Sequence, residues 1–216
     1  MAFALIVYRP AWRLTWLGRL AGLIVVAGIL AVGLRCAYPF LAVSQPVSTQ
    51  CLVIEGWVAD QELDLLIAEI NRGHYAPIYL TGGPIRNNDP GARFGSYPEL
   101  MRAALISRGF SADRLIAAPS PAVVKDRTYA SAQALKERLQ QMNVECGSFN
   151  LVTEGAHARR SRLLFALAFG SRTRIGVISL KPDEYDPRHW WHTSAGVRDI
   201  LSEAIAYVYA RCIFHP

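Results

Sequence analysis

The chain has 216 residues, 52% of them hydrophobic, and a formal charge of +6. That length and apolar content suffice for one domain with a full core and leave no room for a second. The charge is unevenly placed: Arg9, Arg13, Arg19 and Arg35 fall in the first 35 residues with no acid among them, and removing those four from the 23 basic residues leaves 19 against 17 acidic ones. No basic run is interleaved with aromatics as in a nucleic-acid interface. The basic excess is therefore partly a topology signal, and nucleic acid is not an expected partner.

Leu17 to Leu34, "LGRLAGLIVVAGILAVGL", is apolar except for Arg19, and "CAYPFLA" adds interfacial aromatics. With its flanks it meets the roughly 20 residues that span a bilayer. Arg9, Arg13 and Arg19 precede the unbroken part, Leu20–Leu34, and Arg35 follows it. The positive-inside rule then keeps the N-terminus cytoplasmic and exports the rest. The expected division is a cytoplasmic stretch 1–16, a transmembrane anchor 17–36, a linker 37–50 and a folded domain 51–216. A cleaved signal peptide is the rival reading, since Ala42–Ser44 has the small residues a peptidase needs, although it lies well past the apolar run. Cys36, Cys51, Cys146 and Cys212 contain no CxxC pair, so no zinc signature is present and no metal is expected. Cys36 falls at the membrane boundary, and in an exported domain the other three meet an oxidising compartment; buried free thiols are the alternative.

The soluble part alternates short apolar runs with helical patterns. "CLVIEG" (Cys51–Gly56) reads as a buried strand, and Leu63, Leu66, Ile67 and Ile70 recur at helical spacing. "PIYLTGG" (Pro77–Gly83) is a second strand. "NNDPGARFGS" is a polar loop, after which Ser96 and Glu99 have capping-box spacing and open a helix to about Arg108. "DRLIAAP" (Asp113–Pro119) is the third strand, and Thr128 is placed to cap a helix over 129–141. "FNLVTEG" (Phe149–Gly155) is the fourth strand, leading into an arginine-rich helix closed by Gly170. "RIGVISL" (Arg174–Leu180) is the fifth. In the last helix Val197, Ile200, Leu201, Ala204, Ile205 and Val208 form one stripe. Trp190 and Trp191, just before it, suit core packing, a pocket wall or a membrane interface.

This order predicts a Rossmann-like α/β fold: about five parallel strands with helices on both faces. Ligands in such sheets bind beyond the carboxyl ends of the strands, where the order reverses. With a strand order of 3-2-1-4-5, Glu55 and the Glu154–His157 turn share one crevice, and Cys51 and Cys146 approach each other at the opposite end.

The strand ends "EGW", "TGG" and "TEGAH" supply the candidates. His157 is a candidate acid, base or anion ligand, or else caps its turn. Glu55 is a candidate base or orienting group. Gly56, Gly82, Gly83 and Gly155 let backbone approach a ligand. Arg159, Arg160 and Arg162 crowd a helix N-terminus, where positive charge is unfavourable. With the free N–H groups of that helix they make a phosphate or carboxylate site, unless they pair internally with Glu55, Glu154 or Asp126. Asp126 and Thr128 add polar groups to the same rim. Walker, dinucleotide and G-x-S-x-G motifs are all missing, and the identity of any cofactor is left open.

The ordered set "CLVIEGW", "YLTGGP", "DRTYASAQAL" and "NLVTEGAHARRSRLLFALAFG" resembles the YdcF-like family over roughly Cys51 to Tyr209. Two departures stand out: Glu55-Gly56-Trp57 replaces a glycine run, and Ala130–Ala132 lacks the Asn that often follows the Thr. The resemblance implies a Rossmann-like domain behind one anchor in the bacterial inner (plasma) membrane, facing the cell envelope. The expectation is a membrane-anchored protein that binds an anionic, phosphate-bearing or lipid-linked ligand, in its enzymatic form a transferase or hydrolase of envelope biogenesis. The alternative is a non-catalytic scaffold or regulator whose crevice charges pair among themselves. If the topology is inverted, a cytosol-facing nucleotide- or cofactor-binding domain is a third reading.

Overall fold

The computed structural model describes residues 15–58, 62–86 and 88–216. The expectations resting on Arg9 and Arg13 lie outside the described residues. The chain forms two compact units, one ending at Cys36 and one running from Ala37 to Pro216. Helix α1 (Trp16–Leu41) supplies the apolar part of the first unit. Its 26 residues span about 39 Å at about 1.5 Å per residue, more than the roughly 30 Å of a hydrocarbon core. Its apolar window is unburied, so it is long and apolar enough to cross a membrane or to act as a signal sequence.

The second unit is a five-stranded, all-parallel sheet of β1 (Leu52–Glu55), β2 (Ile78–Gly82), β3 (Leu115–Pro119), β4 (Ser148–Glu154) and β5 (Arg174–Leu180). The order is β3-β2-β1-β4-β5, as expected, with the reversal between β1 and β4. Strand alternation sorts the core into two layers. Leu52, Ile54, Leu80 and Val152 face helices α2 (Leu63–Gly73) and α3 (Tyr97–Ser107). Val53, Tyr79, Phe149 and Leu151 face α4 (Arg127–Gln141) and α5 (Ala158–Phe169). A third cluster joins Leu41, Ala156, Tyr185 and Trp190 to Ile200 of α6 (Ser194–Cys212). Trp190 is thus a core residue, with Trp191 packed against the same cluster.

Residues 37–50, read as a linker, pack onto the domain instead. Leu41 is buried, and Gln45 exchanges backbone hydrogen bonds with Val177 of β5 at 2.8 and 3.1 Å. That contact covers part of an otherwise open sheet edge.

Three local readings change. Ser96 makes no side-chain cap bond. Thr128 sits inside the first turn of α4 and does not cap it; the residue before the helix is Asp126, in left-handed backbone with no cap bond from its side chain. The α6 stripe splits: Val197, Ile200 and Ala204 pack inward, while Leu201, Ile205 and Val208 are exposed.

Candidate functional site

The carboxyl end of β4 runs into a tight turn, Gly155–His157, and then directly into α5. Gly155 has φ +45°, a backbone conformation that a side chain would strain. The turn delivers His157 to the top of the sheet and, one helical turn on, Arg160 beside it. Facing them is a residue that the sequence reading did not select, Glu203 of α6.

Glu203 Oε1 lies 2.8 Å from His157 Nδ1. Arg160 donates from Nε to Oε2 at 2.8 Å and from Nη2 to Oε1 at 3.0 Å, a two-pronged pair. Its third nitrogen, Nη1, donates to Thr128 Oγ1 at 3.3 Å. Arg160 Nη2 also stands 2.9 and 3.1 Å from the two ring nitrogens of His157. Those nitrogens point away from each other in the ring plane, so one atom near both lies over the ring face. The Trp57 ring packs edge-on at 4.7 Å between centroids. Burial alone would raise the Glu203 pKa; the hydrogen bonds from His157 and Arg160 outweigh it and hold the carboxyl down to about 2. A carboxylate can only accept, so Nδ1 is the donor, and whenever the ring is neutral Nε2 is left as its proton acceptor.

The other arginines have partners too. Arg159 donates to the Phe40 carbonyl, and its guanidinium lies 4.0 Å over the Phe40 ring. Arg162 donates to Ile175 O at 3.0 Å and to Gln45 Oε1 at 2.7 Å. The internal pairing was expected at Glu55, Glu154 or Asp126; for Arg160 it falls on Glu203, and the neighbouring arginines use carbonyls and an amide.

Glu55 does not share a face of the sheet with Glu154. Val53 and Leu151 belong to the α4/α5 layer, and Ile54 and Val152 to the α2/α3 layer. Alternation therefore sends Glu55 toward α5 and Glu154 to the other side. Glu55 is fully buried and accepts a 2.8 Å hydrogen bond from Ser161 Oγ of α5.

Two of the glycines serve packing. A Cβ on Gly56 would meet Tyr97 O at 2.8 Å, and one on Gly82 would meet Tyr97 Cβ at 3.1 Å. The strand ends are bare so that the start of α3 can press against them. Gly83 has more room, its nearest neighbour being Ser120 Oγ at 3.6 Å.

Glu154 faces a second polar concavity. Burial, and then the charges of Glu62, Asp199 and Glu184, push its carboxyl up to about 7, against a smaller opposing pull from His157. Burial likewise raises Asp199, opposed by a 2.5 Å hydrogen bond from the Tyr185 hydroxyl.

Of the predicted residues, the structure joins His157, Arg160 and Thr128 in one network and places Glu154 and Gly155 at its edge; Glu55 and Arg159 make their contacts elsewhere, and Asp126 stands just before α4 with no cap bond from its side chain. Glu203 had a legible signal: it follows Ile200 by three residues and Gly196 by seven, so it lies on the buried face of its helix. Comparison with family models, with curated proteins and with solved structures finds no match.

Proposed function

We propose that this chain is a membrane-anchored α/β protein that binds a small phosphate-bearing or lipid-linked ligand at the carboxyl ends of β1 and β4, with His157 exchanging a proton with it. The observation that carries this reading is the 2.8 Å contact from His157 Nδ1 to Glu203. It fixes the ring's orientation and tautomer and makes Nε2 the basic atom, which is what a general base of a hydrolase or transferase needs. Glu203 takes the orienting role first considered for Glu55. The motif resemblance to YdcF-like envelope proteins and the apolar α1 point the same way, since a tether holds such a site near lipid-linked substrates.

A second reading is favoured by one specific observation: all three guanidinium nitrogens of Arg160 already have partners. No free fork is left for a phosphate, and Glu203 neutralises the one permanent cation of the cluster. In this reading the cluster pins α5 to α6, and the domain is a scaffold or regulator.

Thermal unfolding of the full chain in detergent, with sugar phosphates, nucleotides and a polyprenyl-phosphate analogue, separates the two. The first reading expects a probe that stabilises the parent and neither His157→Ala nor Arg160→Ala. A lower melting temperature in both variants, with no shift from any anion, gives the second reading and removes the first.

A further inference from the structure

Beside the Glu203 cluster lies a separate cavity of about 500 Å³ between the end of β4, the loop after β5 and the first turns of α6. Its wall carries Glu62, Glu154, Asp183, Glu184 and Asp199 against a single cation, Arg198. Arg198 is exposed and forms no ion pair with any of them among the described residues. An acidic wall alone would be an ordinary solvated surface, but Glu62 is not on the surface. It is 1% exposed. Its Oε1 accepts the Asp183 N–H at 3.0 Å, while its Oε2, equally buried, meets no donor among the described residues. A buried carboxylate oxygen without a donor is costly, and Glu62 is one of the residues that line this cavity. The wall's two hydroxyls do not relieve it, because Tyr185 donates to the Asp199 carboxylate and Ser202 to the Asp199 carbonyl. What Oε2 lacks among the described residues is a donor.

We propose that this cavity binds a small molecule through a primary ammonium group, with Glu62 Oε2 as the central acceptor and Glu154 and Asp199 as flanking ones. An ammonium offers three donors and no acceptor, which suits a wall made of carboxylates. The Glu154 carboxyl, raised first by burial and then by the charges of Glu62, Asp199 and Glu184, fits the same picture, since an entering cation offsets the second of these. A divalent metal suits the wall less well: among the described residues no three His, Cys, Asp or Glu side chains converge at metal-ligand spacing. This assignment is independent of the anion reading, because it uses neither His157 nor Arg160 and is probed with a ligand of opposite charge.

The test is calorimetric and thermal-shift titration of the full chain in detergent with putrescine. Butanediol serves as the neutral isostere, magnesium chloride as the metal probe, and sodium chloride at matched ionic strength as the screening control. Putrescine is expected to bind and to raise the melting temperature, and the three controls are not. Glu62→Gln keeps the shape and the Oε1 acceptor and is expected to weaken putrescine by about tenfold or more. Ser202→Lys, at an exposed position on the rim, hangs a tethered ammonium over the cavity. It should abolish the putrescine shift without altering Glu62, so the test survives if Glu62→Gln fails to fold. Equal putrescine binding by the parent and Ser202→Lys, an equal response to sodium chloride, or binding of magnesium and not the amine would each overturn the proposal.

Discussion

Replacing Glu203 by Gln removes one negative charge from a cluster that holds α5 against α6. The Glu203 side chain is 11% exposed and that of Arg160 16%, so the pair is shielded enough for charge to matter. The folded-state carboxyl sits near 2, against an ordinary value of 4.5. At about 1.4 kcal/mol per pKa unit this is linked to about 3 kcal/mol of stability. Breaking a buried pair from one side costs about 3–5 kcal/mol by a separate route, and the two figures agree in size. The depressed pKa fixes the sign: the contribution is complete above about pH 4.5 and is lost as pH falls toward 2. Urea unfolding of the full chain in detergent, followed by tryptophan fluorescence, should therefore show a gap of about 3 kcal/mol between parent and Glu203→Gln at pH 7. For a domain of this size that gap corresponds to a fall of roughly 6–12 °C in Tm. The gap should narrow steadily between pH 4.5 and pH 3. A gap that stays constant over that range, or stays under about 1 kcal/mol at pH 7, would refute the claim that Glu203 acts through its charge on Arg160 and His157.

Glu154 has the opposite sign. Its carboxyl is raised to about 7, so stability present below about pH 4.5 is lost as pH rises through 7. Glu154→Gln should be more stable than the parent at pH 8 by about 1–2 kcal/mol after allowing for partial solvent access, and should match it at pH 4; pH-resolved thermal unfolding reads this directly. Gly56→Ala should cost about 1–3 kcal/mol because the new Cβ meets the Tyr97 carbonyl, and a neutral result in urea unfolding would show that α3 can move away from the strand end. Cys51 and Cys146 have their sulfurs 3.1 Å apart. Treatment with diamide as the oxidant should join them with loss of both thiol hydrogens, seen by mass spectrometry, and add about 2–4 kcal/mol relative to the reduced chain. Cys212 is exposed, so an impermeant maleimide added to intact cells should label it if the domain is exported, and should fail to do so if the topology is reversed.

Much of the architecture was legible because it depends on local periodicity. Apolar runs of four to seven residues alternating with helical spacing implied a wound parallel sheet, and the reversal between β1 and β4 falls where the expected strand order put it. His157, Arg160 and Thr128 were visible for the same reason: each sits where a strand or loop becomes a helix. The approach of Cys51 to Cys146 followed from adjacent strands running in the same direction.

The sequence by itself could not say which charges meet. Strand alternation, a local rule, separated Glu55 from Glu154 once the burial pattern was known, but Glu55 found Ser161 and Arg160 found Glu203 by helix packing across 106 and 43 residues. The glycines at the strand ends illustrate the same limit. Their chemistry says only that backbone must be approached closely; that the approaching group at Gly56 and Gly82 is the start of α3 was decided by where the helix lands. The unsatisfied Oε2 of Glu62 was equally hidden. An acid near the start of a helix is ordinary in sequence, and only the tertiary structure buries it on the wall of a cavity where, among the described residues, no donor meets its Oε2. Hydrophobic period is carried by neighbours along the chain, whereas a charge is assigned its partner by the whole fold.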